Sequence, residues 1–137
     1  MPNTFSRRIH WAANSVDAST RTVIAYIAGR LITGSASWTI QDQDRIQRIP
    51  LDGWVEGGNI RIYSHERHAY ISGLGAEGNY VLFNHGSERG LTLTVNVEER
   101  TFSGADQQTS YHFFGEVAER AIRLYDYQDM RWHAYTL

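Results

Sequence analysis

Along most of the chain, apolar and polar residues alternate, and short polar clusters break the alternation at regular intervals. The pattern is clearest at the C-terminus. Ile122 and Leu124 alternate with Arg123 and Tyr125, Asp126 to Arg131 is polar, and Trp132, Ala134 and Thr136 then alternate with His133, Tyr135 and Leu137. A period of two is the signature of a strand. The polar cluster reads as a turn, started by Asp126, whose short carboxylate can accept from backbone N–H groups two residues on. The same order of apolar, spacer, apolar, spacer and turn residue occurs at Trp38–Asp42, Ile60–Ser64, Tyr80–Asn84 and Phe102–Asp106.

The five turn residues, Asp42, Ser64, Asn84, Asp106 and Asp126, lie 22, 20, 22 and 20 residues apart. A fixed period of about 20 residues signals a repeat architecture. The predicted fold is therefore mainly β: an antiparallel meander of about ten strands, built from five degenerate hairpin repeats of about 21 residues over 35–137. Its apolar face is expected to include Trp38, Ile40, Ile60, Ile62, Tyr80, Leu82, Phe102, Ile122 and Leu124 on outgoing strands. Ile49, Leu51, Leu91, Leu93, Val95, Tyr111 and Phe113 are the candidates on returning ones, where a slip of one residue would exchange the faces. Gly53, Gly73 and Gly115 are expected just after returning strands, and Gly57, Gly58 and Gly75 to Gly78 in the connections, giving a glycine-rich far rim. Closure into a barrel would remove the sheet edges. Otherwise the last strand needs a neighbour, such as the same edge of a second copy in a homodimer.

Residues 19–33 depart from the period of two. Val23, Ile24, Ile27, Ala28 and Leu31 fall on one face of a helix. Ser19 or Thr20 would serve as N-cap, Asp17 would sit near the positive end of the dipole, and Gly34 suits the residue after the last turn. Thr22, Val23, Ile24 and Ile27 are β-branched and Gly29 costs a helix about 1 kcal/mol, so a pair of strands is the competing reading. The spacing favours one N-terminal amphipathic α-helix covering a face or an open end of the meander. In residues 1–18, Phe5, Ile9 and Trp11 alternate and allow a short strand.

The length of 137 residues fits a single domain, 1–137, large enough for one core. Four Trp, eight Tyr and five Phe against two Pro and two Met suit strands. A net charge of −2 with mixed signs lacks the basic footprint of a nucleic-acid binder. The absence of cysteine excludes disulfides, thiolate metal sites and Cys nucleophiles, and agrees with a cytoplasmic location. Neither an apolar leader at the N-terminus nor an apolar run long enough to span a membrane is present.

The candidate chemistry is modest. His65 and His85 each follow a turn residue, so they share one rim with Gln43, Gln107 and Tyr127. Joined by Asp106 they could bind a metal, but as turn-tip residues they need no such role, and no metal or cofactor is expected. Asp42, Asp106 and Asp126 could pair as in glycoside hydrolysis, yet their equivalence along the chain argues for turn-making. Glu116 and His112 are the better acid–base candidates, because nothing in the hairpin pattern requires them. There is no G-x-S-x-G elbow, and Gly73-Leu-Gly-Ala-Glu-Gly78 lies between strands rather than opening a helix.

The aromatics are more suggestive. Tyr63, Phe83 and Tyr125 each precede a turn residue on the face opposite Ile62, Leu82 and Leu124, and Tyr127, Trp132 and Tyr135 follow. Interleaved with Arg61, Arg123 and Arg131, they suit recognition of a protein or sugar. The expected function is a non-catalytic module that binds a protein or carbohydrate through His65, His85, Tyr63, Tyr125, Tyr127, Arg131 and Trp132. The alternative is a small β-barrel enzyme or carrier whose apolar cavity holds Glu116 and His112. A filled barrel would favour the first, an open interior the second.

Overall fold

The computed structural model describes residues 17–108 and 112–137. One helix, α1 (Ala18–Thr33), precedes ten strands: β1 (Thr39–Asp42), β2 (Gln47–Glu56), β3 (Asn59–Ser64), β4 (Ala69–Ala76), β5 (Asn79–Asn84), β6 (Arg89–Asn96), β7 (Thr101–Asp106), β8 (His112–Ala118), β9 (Ala121–Asp126) and β10 (Arg131–Thr136). The strands form an antiparallel meander that closes on itself through β1 and β10. The strand suggested around Phe5, Ile9 and Trp11, and the core position of Tyr111, fall outside the described residues.

Asp42, Ser64, Asn84, Asp106 and Asp126 are the last residues of β1, β3, β5, β7 and β9, and so stand on one rim. Their acceptor atoms bond into the turns that follow. The Asp42 carboxylate takes the N–H groups of Asp44 and Arg45, the Asn84 carbonyl those of Gly86 and Ser87, and Asp106 and Asp126 those of Gln108 and Gln128. Ile46, His68, Glu88 and Met130, each four residues past its turn residue, take the left-handed conformation with φ between 52° and 58°.

The opposite rim is less uniform than a glycine-rich one. Gly57 and Gly58 both have positive φ, as do Glu77 and Gly78, the pairing of a two-residue hairpin turn. The β6–β7 connection instead uses Asn96, whose side chain accepts from the Glu99 N–H, and β8–β9 turns on Glu119. Gly53, Gly73, Gly75 and Gly115 are strand residues, not turn residues. At Gly115, and likewise at Gly104, the glycine makes room for a ring packed inside the barrel. A Cβ on Gly115 would lie 2.3 Å from the Phe102 ring, and one on Gly104 would lie 2.5 Å from the Phe113 ring. Each glycine is paired across the ladder with the aromatic that lies over it.

The helix is not a cover on one face. Val23, Ile24, Ala25, Tyr26, Ile27 and Ala28 are all at most 1 % exposed, six consecutive residues that point in every direction around the axis. α1 contacts β1, β2, β3, β6 and β9, and therefore runs through the interior. Eight-stranded barrels fill with their own side chains. Ten strands leave a wider lumen, and a helix about 10–12 Å across fills it. The amphipathic reading was thus too narrow: Leu31, on the expected apolar face, is only half-buried, whereas Thr22, Ala25 and Tyr26 on other faces are sealed. Thr22 Oγ1 satisfies itself on the Ala18 carbonyl, and Tyr26 Oη donates to the carbonyl of Ser37. The N-cap is Asp17 rather than Ser19 or Thr20; its Oδ1 accepts the Thr20 N–H at 2.8 Å. Gly34 ends the helix at φ 72°, where a side chain would be strained.

Around the helix, Ile40, Ile49, Leu51, Ile60, Ile62, Leu82, Leu91, Leu93, Val95, Phe102, Phe113, Ile122 and Leu124 point inward, as the alternation predicts. Trp38 does not: it precedes β1 and is 63 % exposed. Tyr80 is half-buried. Tyr135, grouped by sequence with the outer aromatics, is an inward residue at 2 % exposure.

Candidate functional site

The rim of turn residues is the first place to look, and it is occupied by the protein itself. All five of its residues are buried, because each side chain that caps a turn also leans into the barrel mouth, where α1 begins. Arg21 Nη1 lies 3.1 Å from Asp126 Oδ2, Arg45 Nε 2.6 Å from Asp42 Oδ2, and Arg89 Nη1 3.2 Å from Asp106 Oδ2. Asn84 Nδ2 donates to Thr20 Oγ1 at 3.1 Å, and Arg45 also reaches Thr22 and Glu66. Asp42, Asp106 and Asp126 are therefore three ion-paired turn caps, not a carboxylate pair open to substrate. The space left between Asp17, Asn84, Arg89 and Asp106 is about 10 Å³, barely a water molecule.

His65 and His85 lie on the outer wall. His65 Nε2 is 2.6 Å from Asp52 Oδ2, and His85 Nε2 is 2.8 Å from Ser72 Oγ. Each ring stands edge-on to the aromatic two residues earlier, Tyr63 or Phe83, at 4.9 Å. Asp106 faces inward, so the set His65, His85 and Asp106 does not assemble. The group that does converge among the described residues is Asp126, Asp129 and His133, with ligand atoms within 4.8 Å of one another. The guanidinium of Arg21 already lies 3.1 Å from Asp126 and 3.9 Å from Asp129. His133 is held between Asp44, at 2.6 Å from Nδ1, and Asp129, at 2.7 Å from Nε2. This network ties the β1–β2 and β9–β10 turns across the closing seam, and sequence spacing gave no sign of it.

Glu116 and His112 share the outer face of β8 but are separated by four residues, about 13 Å along a strand. Glu116 is bound to Arg123 at 2.6 Å. The two do not form a proton-transfer pair, and neither looks into the barrel.

The aromatics do assemble, in two patches on the outer wall. Tyr63 meets Tyr70 at 5.0 Å, and Arg61 stacks over Tyr70 at 3.9 Å. The larger patch joins Phe114, Tyr125, Tyr127 and Trp132, with ring centres 5.1 to 5.7 Å apart, and Arg123 stacked on Trp132 at 4.3 Å. Offset and edge-to-face aromatic pairs and stacked guanidinium groups stabilise such a surface without sealing it. Phe114 is 37 %, Trp132 41 % and Tyr127 53 % exposed. Of the predicted binding residues, Tyr125, Tyr127 and Trp132 come together here, whereas Tyr63 and His65 belong to the other patch, and His85 stands with Phe83. The stacking cation is Arg123. Arg131 is exposed, and its backbone N–H donates to Asp129. Phe114 was missed. The signal was the Phe113–Phe114 pair, since consecutive strand residues face opposite sides.

Beside this patch, the outer faces of β6, β7 and β8 form a shallow, open groove of about 640 Å³, floored by Thr92, Thr94, Ser103 and Ala105 and bordered by His112, Phe114 and Tyr127. It continues past Ser103 and Phe114 into a second depression of about 360 Å³ that reaches Asn96, Thr101 and Glu116.

No protein-family model, curated protein or solved structure matches this chain. Among the described residues, no helix is long and apolar enough to cross a membrane.

Proposed function

We propose that the protein is a non-catalytic binding module that recognises a protein or carbohydrate through aromatic and polar side chains on the outside of its barrel. The observation that carries this reading is the position of α1. A helix in the lumen removes the space a barrel carrier would use for an apolar molecule, and supports the first of the two functions over the second. Glu116 and His112 lie outside and apart, which weighs against their use as an acid–base pair. The exposed rings of Phe114, Tyr127 and Trp132, with the half-buried Tyr125 between them, are then the surface with most to gain from contact. Interfaces draw disproportionately on Tyr, Trp and Arg. In this reading the hairpin of 20 to 22 residues is the recurring unit, its inner turn residue serving the fold and its outer aromatics serving recognition.

The test compares the parent protein with the triple variant Phe114→Ala/Tyr125→Ala/Trp132→Ala on arrays of immobilised glycans and proteins. These side chains point away from the core, so the variant should keep a cooperative melt. The expected result is binding by the parent that the variant loses. Equal binding by both proteins would refute a role for this patch.

A further inference from the structure

The groove on β6–β8 has a composition unlike the rest of the wall, and its rows can be read from the strand register. Thr92 pairs with Ala105, and Ala105 with His112. Thr94 pairs with Ser103, Ser103 with Phe114, Phe114 with Tyr125, and Tyr125 with Trp132. Asn96 pairs with Thr101, and Thr101 with Glu116. Three parallel rows, about 7 Å apart along the strands, thus run from short side chains on β6 and β7, all but Ala105 carrying a hydroxyl or amide, to longer ones on β8. The middle row continues into the aromatic patch. The floor is low because its side chains are small, and the far wall is high because it begins with Phe114.

We propose that this trough is a subsite for a neutral oligosaccharide, a reading that rests on the binding-module function above and assigns its ligand class and place. Hydroxyl and amide side chains each donate and accept, which matches the adjacent hydroxyls of a sugar. The Phe114 and Tyr127 rings supply an apolar surface for the C–H face of the same ring. Charge argues for neutrality. The larger groove is lined by no Asp, Glu, Lys or Arg among the described residues, and Glu116 at the far end is matched by Arg123 at 2.6 Å. The topology argues against an extended peptide. Strand addition needs an open edge, and β6, β7 and β8, which carry the groove, are each paired on both sides.

The experiment is a titration of the whole 15N-labelled chain with maltotriose, cellotriose and triacetylchitotriose, followed by amide shifts. The expected result is shifts concentrated in 92–96, 101–105 and 112–116 with at least one of the three. Phe114→Ala should weaken that binding about tenfold, equivalent to about 1.4 kcal/mol, and Ser103→Arg, which fills the floor from outside, should abolish it. Tyr70→Ala, on the other patch, should bind as the parent does. The variants' own spectra report whether they are folded. Shifts confined to the Tyr63–Tyr70 patch would overturn the groove while leaving a binding module. No shift with any of the three sugars would overturn the saccharide ligand, and protein binding on the arrays would then show whether the wider reading survives it.

Discussion

Arg21, in the first turn of the central helix, and Asp126, the last residue of β9, meet at 3.1 Å although 105 residues separate them in the chain. Asp126 uses both oxygens: Oδ1 accepts the Gln128 N–H at 2.9 Å, and Oδ2 takes the guanidinium. The residue that starts the last hairpin turn is thus also the one that holds the helix in the lumen. Asp42 bonds its own turn and Arg45, whose guanidinium donates in turn to Thr22 on the helix, and Asn84 bonds both its turn and Thr20.

Two substitutions separate these roles at Asp126. Asp126→Asn keeps an acceptor for the turn and loses the charge, whereas Asp126→Ala loses both. The side chain is 3 % exposed and its partner 14 %, and removing one partner of a buried pair costs about 3–5 kcal/mol. The alanine variant should therefore lose about 3 kcal/mol in urea melts, and the asparagine variant clearly less. Equal losses would mean that the turn bond contributes nothing.

Gly29 sets helix propensity against packing. Alanine is the better helix former by about 1 kcal/mol, but a Cβ here would lie 2.6 Å from Ile122 Cδ1 and 3.1 Å from Leu137 Cδ1. Both neighbours are buried, and overpacking costs about 1–3 kcal/mol. Gly29→Ala should therefore destabilise by roughly 1 kcal/mol. On a helix lying outside the sheet it would stabilise. Ile122→Val, which removes the clashing methyl, should cost less in the Gly29→Ala background than alone, and a double-mutant cycle measures that coupling.

The strands and their order were legible because two local signals coincide: a period of two, and an Asx-forming or Ser residue at each outgoing end. The helix was legible from Val23, Ile24, Ile27 and Ala28. Its place inside the barrel was not, because a 3.6-residue stripe reports one apolar face and is silent about Thr22, Ala25 and Tyr26, small or self-satisfied residues that can be buried on the others. Aromatic positions were ambiguous for a related reason. The alternation puts Trp38 on the apolar face and Tyr135 among the outer aromatics, and the closed register reverses both, leaving Trp38 in solvent and Tyr135 in the core. The patch around Phe114 needed three strands to be aligned before it existed, as did the hydroxyl floor beside it.

Burial pushes the Tyr135 phenol above its ordinary value of 10.0; the Asp42 charge adds to this, and Arg21 opposes it. The folded state therefore holds this proton more tightly than the unfolded chain. The contribution is complete below pH 10, the unfolded value, and is lost as pH rises above it. Urea midpoints measured from pH 9 to 11 should fall for the parent, and the part of the fall due to this phenol should be missing in Tyr135→Phe. An identical pH profile for both proteins would contradict the sealed position of the ring.

The last strand should be indispensable. β10 is the one strand paired with both β9 and β1, and the β1 ladder is short, with Gln41 opposite Thr136 and Asp42 opposite Tyr135. Closure is reinforced at both ends: His133 lies between Asp44 and Asp129 at one rim, while at the other the Leu137 N–H donates to the Arg120 carbonyl at 2.9 Å and Arg120 Nε donates back to the Leu137 carbonyl at 3.0 Å. Removing residues 132–137 would bare the edges of β1 and β9, uncover Ile122 beside Gly29, and delete the buried Tyr135 and Leu137. Burying large side chains of this kind contributes about 1.5–3 kcal/mol each, against a total stability of about 5–15 kcal/mol. Exposed edges are also templates for aggregation. The truncated protein should be insoluble, or show helical and strand circular dichroism without a cooperative melt. A soluble product that melts sharply near the parent temperature would mean that nine strands can close around the helix unaided.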